Sequence, residues 1–119
     1  MQSAVDYWWI QEASVNQDGL GTPSSYLYKP RFDENGNEGP LYFGPLWDFD
    51  LAWGNNMYKR EVEVTGFNHA LMGWMEQLRQ RPEFVRRLKQ RWTDIDRLLS
   101  QVTRSGGLLD QWKPEAPVS

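Results

Sequence analysis

The stretch from Leu41 to Asn55, which reads LYFGPLWDFDLAWGN, constrains this chain more than any other. It begins as an apolar and aromatic run, which predicts a short buried strand. It then carries two carboxylates, Asp48 and Asp50, which are costly to bury unless they are paired, hydrogen-bonded or bound to a metal. Because side chains alternate along an extended segment, both carboxylates are expected on the same face.

Two carboxylates on one face, rimmed by Trp47, Phe49 and Trp53, fit a Mg²⁺ or Mn²⁺ site. Magnesium usually takes one or two carboxylates and completes its shell with phosphate oxygens and water. The alternative is that Asp48 and Asp50 are solvated or capping acids at the end of a strand. The neighbouring aromatic side chains favour the metal, because they are expected to desolvate the pair.

Length and composition exclude several classes of protein. At 119 residues the chain forms one domain at most, and its seven tryptophans supply large apolar side chains for a core. A net charge of −3 argues against a nucleic-acid partner. The absence of cysteine excludes disulfides and thiolate metal sites. No apolar run reaches the roughly 18 residues that suggest a membrane span.

Helical periodicity marks three segments of the chain. Gln2 to Asn16 predicts a helix with Ser3 as its N-cap, and His69 to Gln80 predicts a short second one. Pro82 suits the first turn of the third segment, in which apolar residues at steps of three and four continue to Val102. This third segment is the clearest amphipathic helix in the sequence.

One β-hairpin is predicted between the first two helical segments. Tyr26–Tyr28 and Leu41–Phe43 are its expected strands, and Asn35-Gly36 is the tight-turn signal between them. Asp33 and the asparagines after it alternate as calcium ligands sometimes do. The glycine comes at the fourth position of that stretch, not the sixth, so the EF-hand pattern fails and a solvated turn is the better interpretation. Asp18-Gly19, upstream of the hairpin, is a turn dipeptide.

The ordered motifs of the chain resemble one known family. They are a helix ending in Gln-Glu, then Asn-x-Asp-Gly, Ser-Ser-Tyr-Leu-Tyr-Lys, Trp-Asp-Phe-Asp-Leu-Ala-x-Gly-Asn, and Arg-Pro-Glu-Phe-x-x-Arg-x-x-x-Arg-Trp. This order resembles the spore-coat protein H (CotH) kinase family from about Ala4 to Trp112. The resemblance implies an atypical protein-kinase-like fold that uses ATP and a divalent metal, Mg²⁺ or Mn²⁺, to phosphorylate Ser or Thr of protein substrates.

The resemblance also implies roles for particular residues. Asp18 matches the catalytic aspartate, which orients the substrate hydroxyl or accepts its proton. Asp48 matches the metal-holding aspartate, and Asp50 is a further acid for the metal site. Many members of the family carry an asparagine a few residues after the catalytic aspartate, as a second metal ligand. This chain offers hydroxyl residues there instead: Thr22, Ser24 and Ser25.

The family's nucleotide-binding features do not occur in this sequence. There is no Gly-rich loop and no nucleotide-clamping lysine, and Lys29 and Lys59 are poor substitutes. We therefore expect residues 1–119 to be one partial CotH kinase-like domain without the nucleotide-binding N-terminal lobe, and to have little activity alone. The expected fold class is α+β, a mostly helical fragment like a kinase C-terminal lobe, with one β-hairpin carrying the acidic motif. The resemblance suggests a bacterial spore coat, the cell surface or secretion.

Two other functions are compatible with the sequence. An aromatic groove for carbohydrate or protein is one, since exposed aromatic side chains stack on sugars and dominate interfaces. Its candidate lining residues are Tyr26, Tyr42, Trp47, Trp53 and Trp74. An inactive pseudokinase that serves as a scaffold is the other.

Overall fold

The fold is α+β, as the sequence predicts. The computed structural model describes residues 1–19, 24–55, 66–67 and 74–112. In these residues the chain forms α1 (Gln2–Ser14), β1 (Leu27–Tyr28), β2 (Tyr42–Phe43), α2 (Trp74–Arg79), α3 (Pro82–Thr103) and α4 (Leu108–Trp112). Within the described ranges, no helix combines the length and the apolar character needed to cross a membrane.

The core lies where the first turns of α3 pack against both α1 and α2. Its largest fully buried side chains include Trp8 of α1, Met75 of α2 and Phe84 of α3. The indole Nε1 of Trp9 donates a hydrogen bond of 3.1 Å to the backbone oxygen of Leu88, which fixes α1 against α3. Because α1 is apolar at its centre rather than along one stripe, it is covered on more than one side.

Helix α3 begins at Pro82 and runs for 22 residues, as its periodicity predicts. Its apolar stripe is buried at the N-terminal end, where α1 covers Phe84 and Leu88. Further along, the stripe is exposed, with 42% of Trp92 and 44% of Leu99 accessible. The periodicity therefore locates the helix correctly, while packing decides which half of its apolar stripe is covered.

The predicted hairpin forms, with shorter strands than the sequence suggests. Leu27 pairs with Phe43 and Tyr28 with Tyr42, in antiparallel register. The turn closes around Asp33, whose carboxylate accepts hydrogen bonds from loop N–H groups. The N–H of Asn37 is the main cause that holds the Asp33 pKa below its usual range. The acid therefore serves the turn itself, in agreement with a solvated turn rather than a calcium loop.

The expected strand forms at Tyr42–Phe43, but the expectation that the apolar run beginning at Leu41 is buried is wrong. The strand ends at Phe43, and Leu41, Leu46 and Trp47 are 48%, 53% and 60% exposed. A ribbon of two strands leaves most of its side chains open unless another element covers them. Here α1 covers the ribbon near Phe43, whose ring lies 6.1 Å from that of Tyr7.

The predicted N-cap of α1 is also wrong. Met1 occupies the N-cap position, and no side chain caps the helix. The hydroxyl of Ser3 instead accepts a hydrogen bond of 3.3 Å from the backbone N–H of Phe43. Ser3 therefore joins α1 to the hairpin, a long-range contact that a local capping rule does not consider.

Several predictions fall partly or wholly outside the described residues. The helix predicted from His69 to Gln80 is seen as α2 from Trp74 onward. Thr22, Lys59 and His69 lie outside the described residues. The structure describes the backbone of Trp74 but not its side chain.

Candidate functional site

The turn that carries Asp18 follows directly from the end of α1. Val15 ends the helix in the left-handed conformation, with φ 48°. Its N–H donates a hydrogen bond to the backbone oxygen of Glu12. The buried Asn16 then accepts the N–H of Asp18 on its side-chain oxygen at 3.2 Å. An asparagine that bonds the backbone two residues on is an Asx turn. The predicted turn at Asp18-Gly19 is therefore present, and a buried side chain defines its geometry.

Gly19 packs against the side chain of Gln11 in this turn. A Cβ atom at Gly19 would lie 2.3 Å from Gln11 Oε1 and 3.1 Å from the backbone oxygen of Asn16. Gln11 is 1% exposed, so it has little room to withdraw. The close packing of the Asp18 turn against α1 consequently requires glycine at position 19.

We expect Gly19→Ala to lower the free energy of unfolding by about 1–3 kcal/mol, the usual cost of overpacking a buried position. Urea unfolding followed by circular dichroism measures this change. Gln11→Ala removes the conflicting amide, so adding Gly19→Ala to that variant should cost much less. A neutral Gly19→Ala in the wild-type background would contradict this packing.

Asp48 and Asp50 lie on an irregular loop rather than at the end of a strand. Asp48 adopts the left-handed conformation with φ 60°, and Asp50 lies in a turn. The argument from strand alternation, which placed both carboxylates on the same face, is therefore wrong. Trp47 and Trp53 are 60% and 70% exposed, so the expectation that they desolvate the two acids is also wrong.

Two backbone hydrogen bonds join this acidic loop to the end of α1 and the turn after it. The N–H of Gln17 donates to the oxygen of Leu51 at 3.2 Å, and the N–H of Trp53 donates to the oxygen of Ser14 at 2.7 Å. Asp18 and Asp50 are thus next in sequence to residues that bond each other. The two predicted acidic segments, far apart in sequence, meet in one region of the molecule.

A third link comes from the segment that follows the Asp18 turn. Ser24 Oγ donates a hydrogen bond of 3.1 Å to Asp48 Oδ2. Sequence reasoning placed Ser24 among the hydroxyl residues after Asp18, but it gave no reason to join Ser24 to Asp48. A serine–aspartate contact of this kind leaves no signal in local sequence, because 24 residues separate the partners.

Left-handed backbone is concentrated where the two segments meet. Among the described residues other than glycine, it occurs at Val15, Asp48 and Trp53. Such a conformation is tolerated by aspartate but is unusual for a β-branched residue, and it costs of order 1–3 kcal/mol where it is strained. It persists when surrounding contacts determine it, as the hydrogen bonds between the two segments do here. Residues of this kind are often concentrated at functional sites.

The acids of this loop lack the ion pairs that several other described carboxylates form. Asp6 pairs with Arg91 across α1 and α3 at 2.7 Å, and Glu83 pairs with Arg87 at 2.7 Å. Within the described residues, neither Asp48 nor Asp50 forms an ion pair with lysine or arginine. Either carboxylate can therefore accept a cation without displacing a lysine or arginine of the described residues.

The donor set limits which cation this loop can hold. In the described part of the chain, no group of three or more His, Cys, Asp or Glu side chains is arranged to hold a metal. Exposed carboxylate and hydroxyl oxygens suit a hard cation that keeps several waters, as Mg²⁺ does. The carboxylates of Asp48 and Asp50 are therefore donors of the type that Mg²⁺ or Mn²⁺ takes.

A separate apolar cavity of about 810 Å³ opens between α1 and α3. Its wall includes aromatic side chains from both helices, and the Trp9 ring lies 4.8 Å from the Trp92 ring. Among the described side chains predicted for the aromatic groove, Trp53 is the one that lines this cavity. Tyr26 and Tyr42 instead lie exposed on the hairpin.

The comparison with known families decides what kind of protein this is. The family described as CotH kinase protein matches residues 1–102. The chain belongs to the CotH kinase family. No curated protein and no solved structure matches it. The CotH family match covers the Asp18 turn, the hairpin, the acidic loop and nearly all of α3, which are the elements that form the candidate site.

Proposed function

We propose that this CotH family chain is part of a metal- and ATP-dependent atypical protein kinase that phosphorylates Ser or Thr of protein substrates. The observation that carries the proposal is the junction between the Asp18 turn and the acidic loop, through Gln17 with Leu51 and Ser24 with Asp48. Phosphoryl transfer asks a protein chiefly for positioning and for neutralisation of charge. A junction between two acidic segments supports both tasks, because one acid can position the substrate while another holds the cation that neutralises charge.

Each acid has a distinct role in this proposal. Asp18 orients the hydroxyl of the protein substrate and accepts its proton. Asp48 holds the divalent cation, with Asp50 as a further acid of the metal site. Mg²⁺ or Mn²⁺, when bound, supplies positive charge that neutralises the phosphates of ATP. The helices and hairpin correspond, in this proposal, to part of a kinase C-terminal lobe, and a nucleotide-binding lobe of the same parent protein completes the ATP site.

Manganese binding tests the metal assignment without requiring turnover. We expect Asp48→Asn to weaken the affinity for Mn²⁺ by at least roughly tenfold, since removing groups that merely support metal ligands already costs this much. Isothermal titration calorimetry on the wild-type chain and the variant measures the dissociation constant. Asp96→Asn removes an exposed acid from α3 and serves as the matched control. Equal Mn²⁺ affinity in wild type and Asp48→Asn would overturn the metal role of Asp48.

A second candidate function rests on the aromatic cavity between α1 and α3. Its volume lies within the range of about 300–1,000 Å³ that is usual for small-molecule sites. In this alternative the chain is a carbohydrate- or protein-binding module, or a pseudokinase scaffold. Tryptophan fluorescence that shifts with an oligosaccharide but not with Mn²⁺ and ATP would favour the binding module. Phosphoryl transfer that depends on Asp18 would exclude the pseudokinase.

A further inference from the structure

We propose that Ser24 is a positioning residue that holds the Asp48 carboxylate for the divalent cation. This role rests on the proposed function, because it assumes that Asp48 binds a metal. Ser24 Oγ lies 3.1 Å from Asp48 Oδ2 and donates its hydrogen to it. The contact ties the segment after Asp18 to the acidic loop through side chains, in addition to the backbone bonds of Gln17 and Trp53.

The surroundings of Asp48 explain why its carboxylate needs a partner. The residue is exposed, lies outside regular structure and has left-handed backbone. A metal ligand on such a loop loses conformational freedom when the cation binds, and this loss weakens binding. A hydrogen bond to one carboxylate oxygen restricts the side chain beforehand. Ser24 is half-buried, but its hydrogen bond to Asp48 is exposed, so the carboxylate stays open to a hydrated ion.

The chemistry of the hydroxyl suits this task better than that of a cationic partner. A guanidinium group, such as that of Arg87 beside Glu83, neutralises the carboxylate that it orients. The serine hydroxyl orients Asp48 Oδ2 and adds no charge, so the full negative charge remains for the cation. The oxygen lone pairs that Ser24 does not use remain as acceptor capacity. Outer partners that orient metal-binding carboxylates in this way tune metal affinity.

The dissociation constant for Mn²⁺, measured on the full chain by electron paramagnetic resonance of the free ion, tests the role of Ser24. We expect Ser24→Ala to raise this constant by about tenfold, the lower end of the effect for such outer partners. Ser24→Thr keeps the hydroxyl and should stay within about twofold of wild type. Ser105→Ala, which removes an exposed hydroxyl between α3 and α4, should leave the constant unchanged. Thermal unfolding of each variant shows whether the fold is retained.

A double-mutant cycle separates this inference from the proposed function. If Ser24 acts through Asp48, Ser24→Ala should have no further effect on Mn²⁺ affinity once Asp48→Asn is present. Wild-type binding that Asp48→Asn weakens and Ser24→Ala leaves unchanged would overturn the role of Ser24 alone. A lower melting temperature in Ser24→Ala with unchanged Mn²⁺ affinity would show a purely structural residue. Wild-type protein that binds no Mn²⁺ would overturn the metal site itself, and the role of Ser24 with it.

Discussion

Asp18→Asn is expected to lower the rate of phosphoryl transfer by about 10²–10⁴-fold, the usual contribution of a general base. Asparagine has nearly the same shape as aspartate, but its amide cannot accept a proton from the substrate hydroxyl as a carboxylate does. The Asx turn is retained, because Asn16 bonds the backbone N–H of residue 18 and not its side chain. The variant therefore changes the chemistry of the site and keeps the hydrogen bond between Asn16 and the backbone N–H of residue 18.

Transfer of labelled γ-phosphoryl from ATP to a Ser/Thr-containing protein measures this effect in the longest natural polypeptide that contains the chain. Mn²⁺ affinity should remain within about twofold of wild type, because the metal is assigned to Asp48 rather than Asp18. Glu34→Gln, which changes an exposed acid in the hairpin turn, is the control. Turnover that survives Asp18→Asn would remove Asp18 from catalysis. A large loss of Mn²⁺ affinity would instead place Asp18 among the metal ligands.

Phe84→Ala is expected to lower the free energy of unfolding by about 3–5 kcal/mol, as for other large aromatic residues truncated in a core. Phe84 has no exposed surface and lies in the cluster that joins α1, α2 and α3, with Trp8 and Met75. Small domains are stable by only about 5–15 kcal/mol in total. A loss of this size therefore removes a large share of the total stability, and at the low end of that range it leaves the folded state barely favoured.

Urea unfolding monitored by circular dichroism measures the difference, and Phe32 offers a matched control. Phe32 is 57% exposed on the hairpin, where its ring lies 5.3 Å from the guanidinium carbon of Arg31. Phe32→Ala should cost less than about 1 kcal/mol, since a surface contact of this kind is worth no more. Similar costs at the two positions would show that Phe84 does not lie in the core.

Features that depend on neighbouring residues could be predicted well. Pro82 and the apolar steps after it locate α3, because helical spacing is a local property. Asn35-Gly36 locates the hairpin turn, where Gly36 has φ 78°. The family resemblance was equally accessible, since ordered motifs carry it, and the match to residues 1–102 confirms it.

Features that depend on distant residues could not be predicted in the same way. The exposure of Trp47 follows from the absence of a covering element among the described residues, although its sequence neighbours suggest a buried strand. Ser3 bonds the backbone of Phe43 instead of capping its own helix. The left-handed backbone of Asp48 removes the period-two argument about its side chain. In each case the local pattern is present in the sequence, but a contact with a distant residue, or the absence of one, determined the structure.

The sequence by itself determined α1, α3, the hairpin and the family, because residue spacing and motif order can be read from the sequence alone. It also named Asp18, Asp48 and Asp50 as candidates, whose roles remain predictions. The tertiary structure alone decided that the end of α1 contacts the acidic loop. The bonds between Gln17 and Leu51, and between Ser24 and Asp48, join residues far apart in the chain. Such pairs depend on how distant segments pack together, so local sequence cannot specify them.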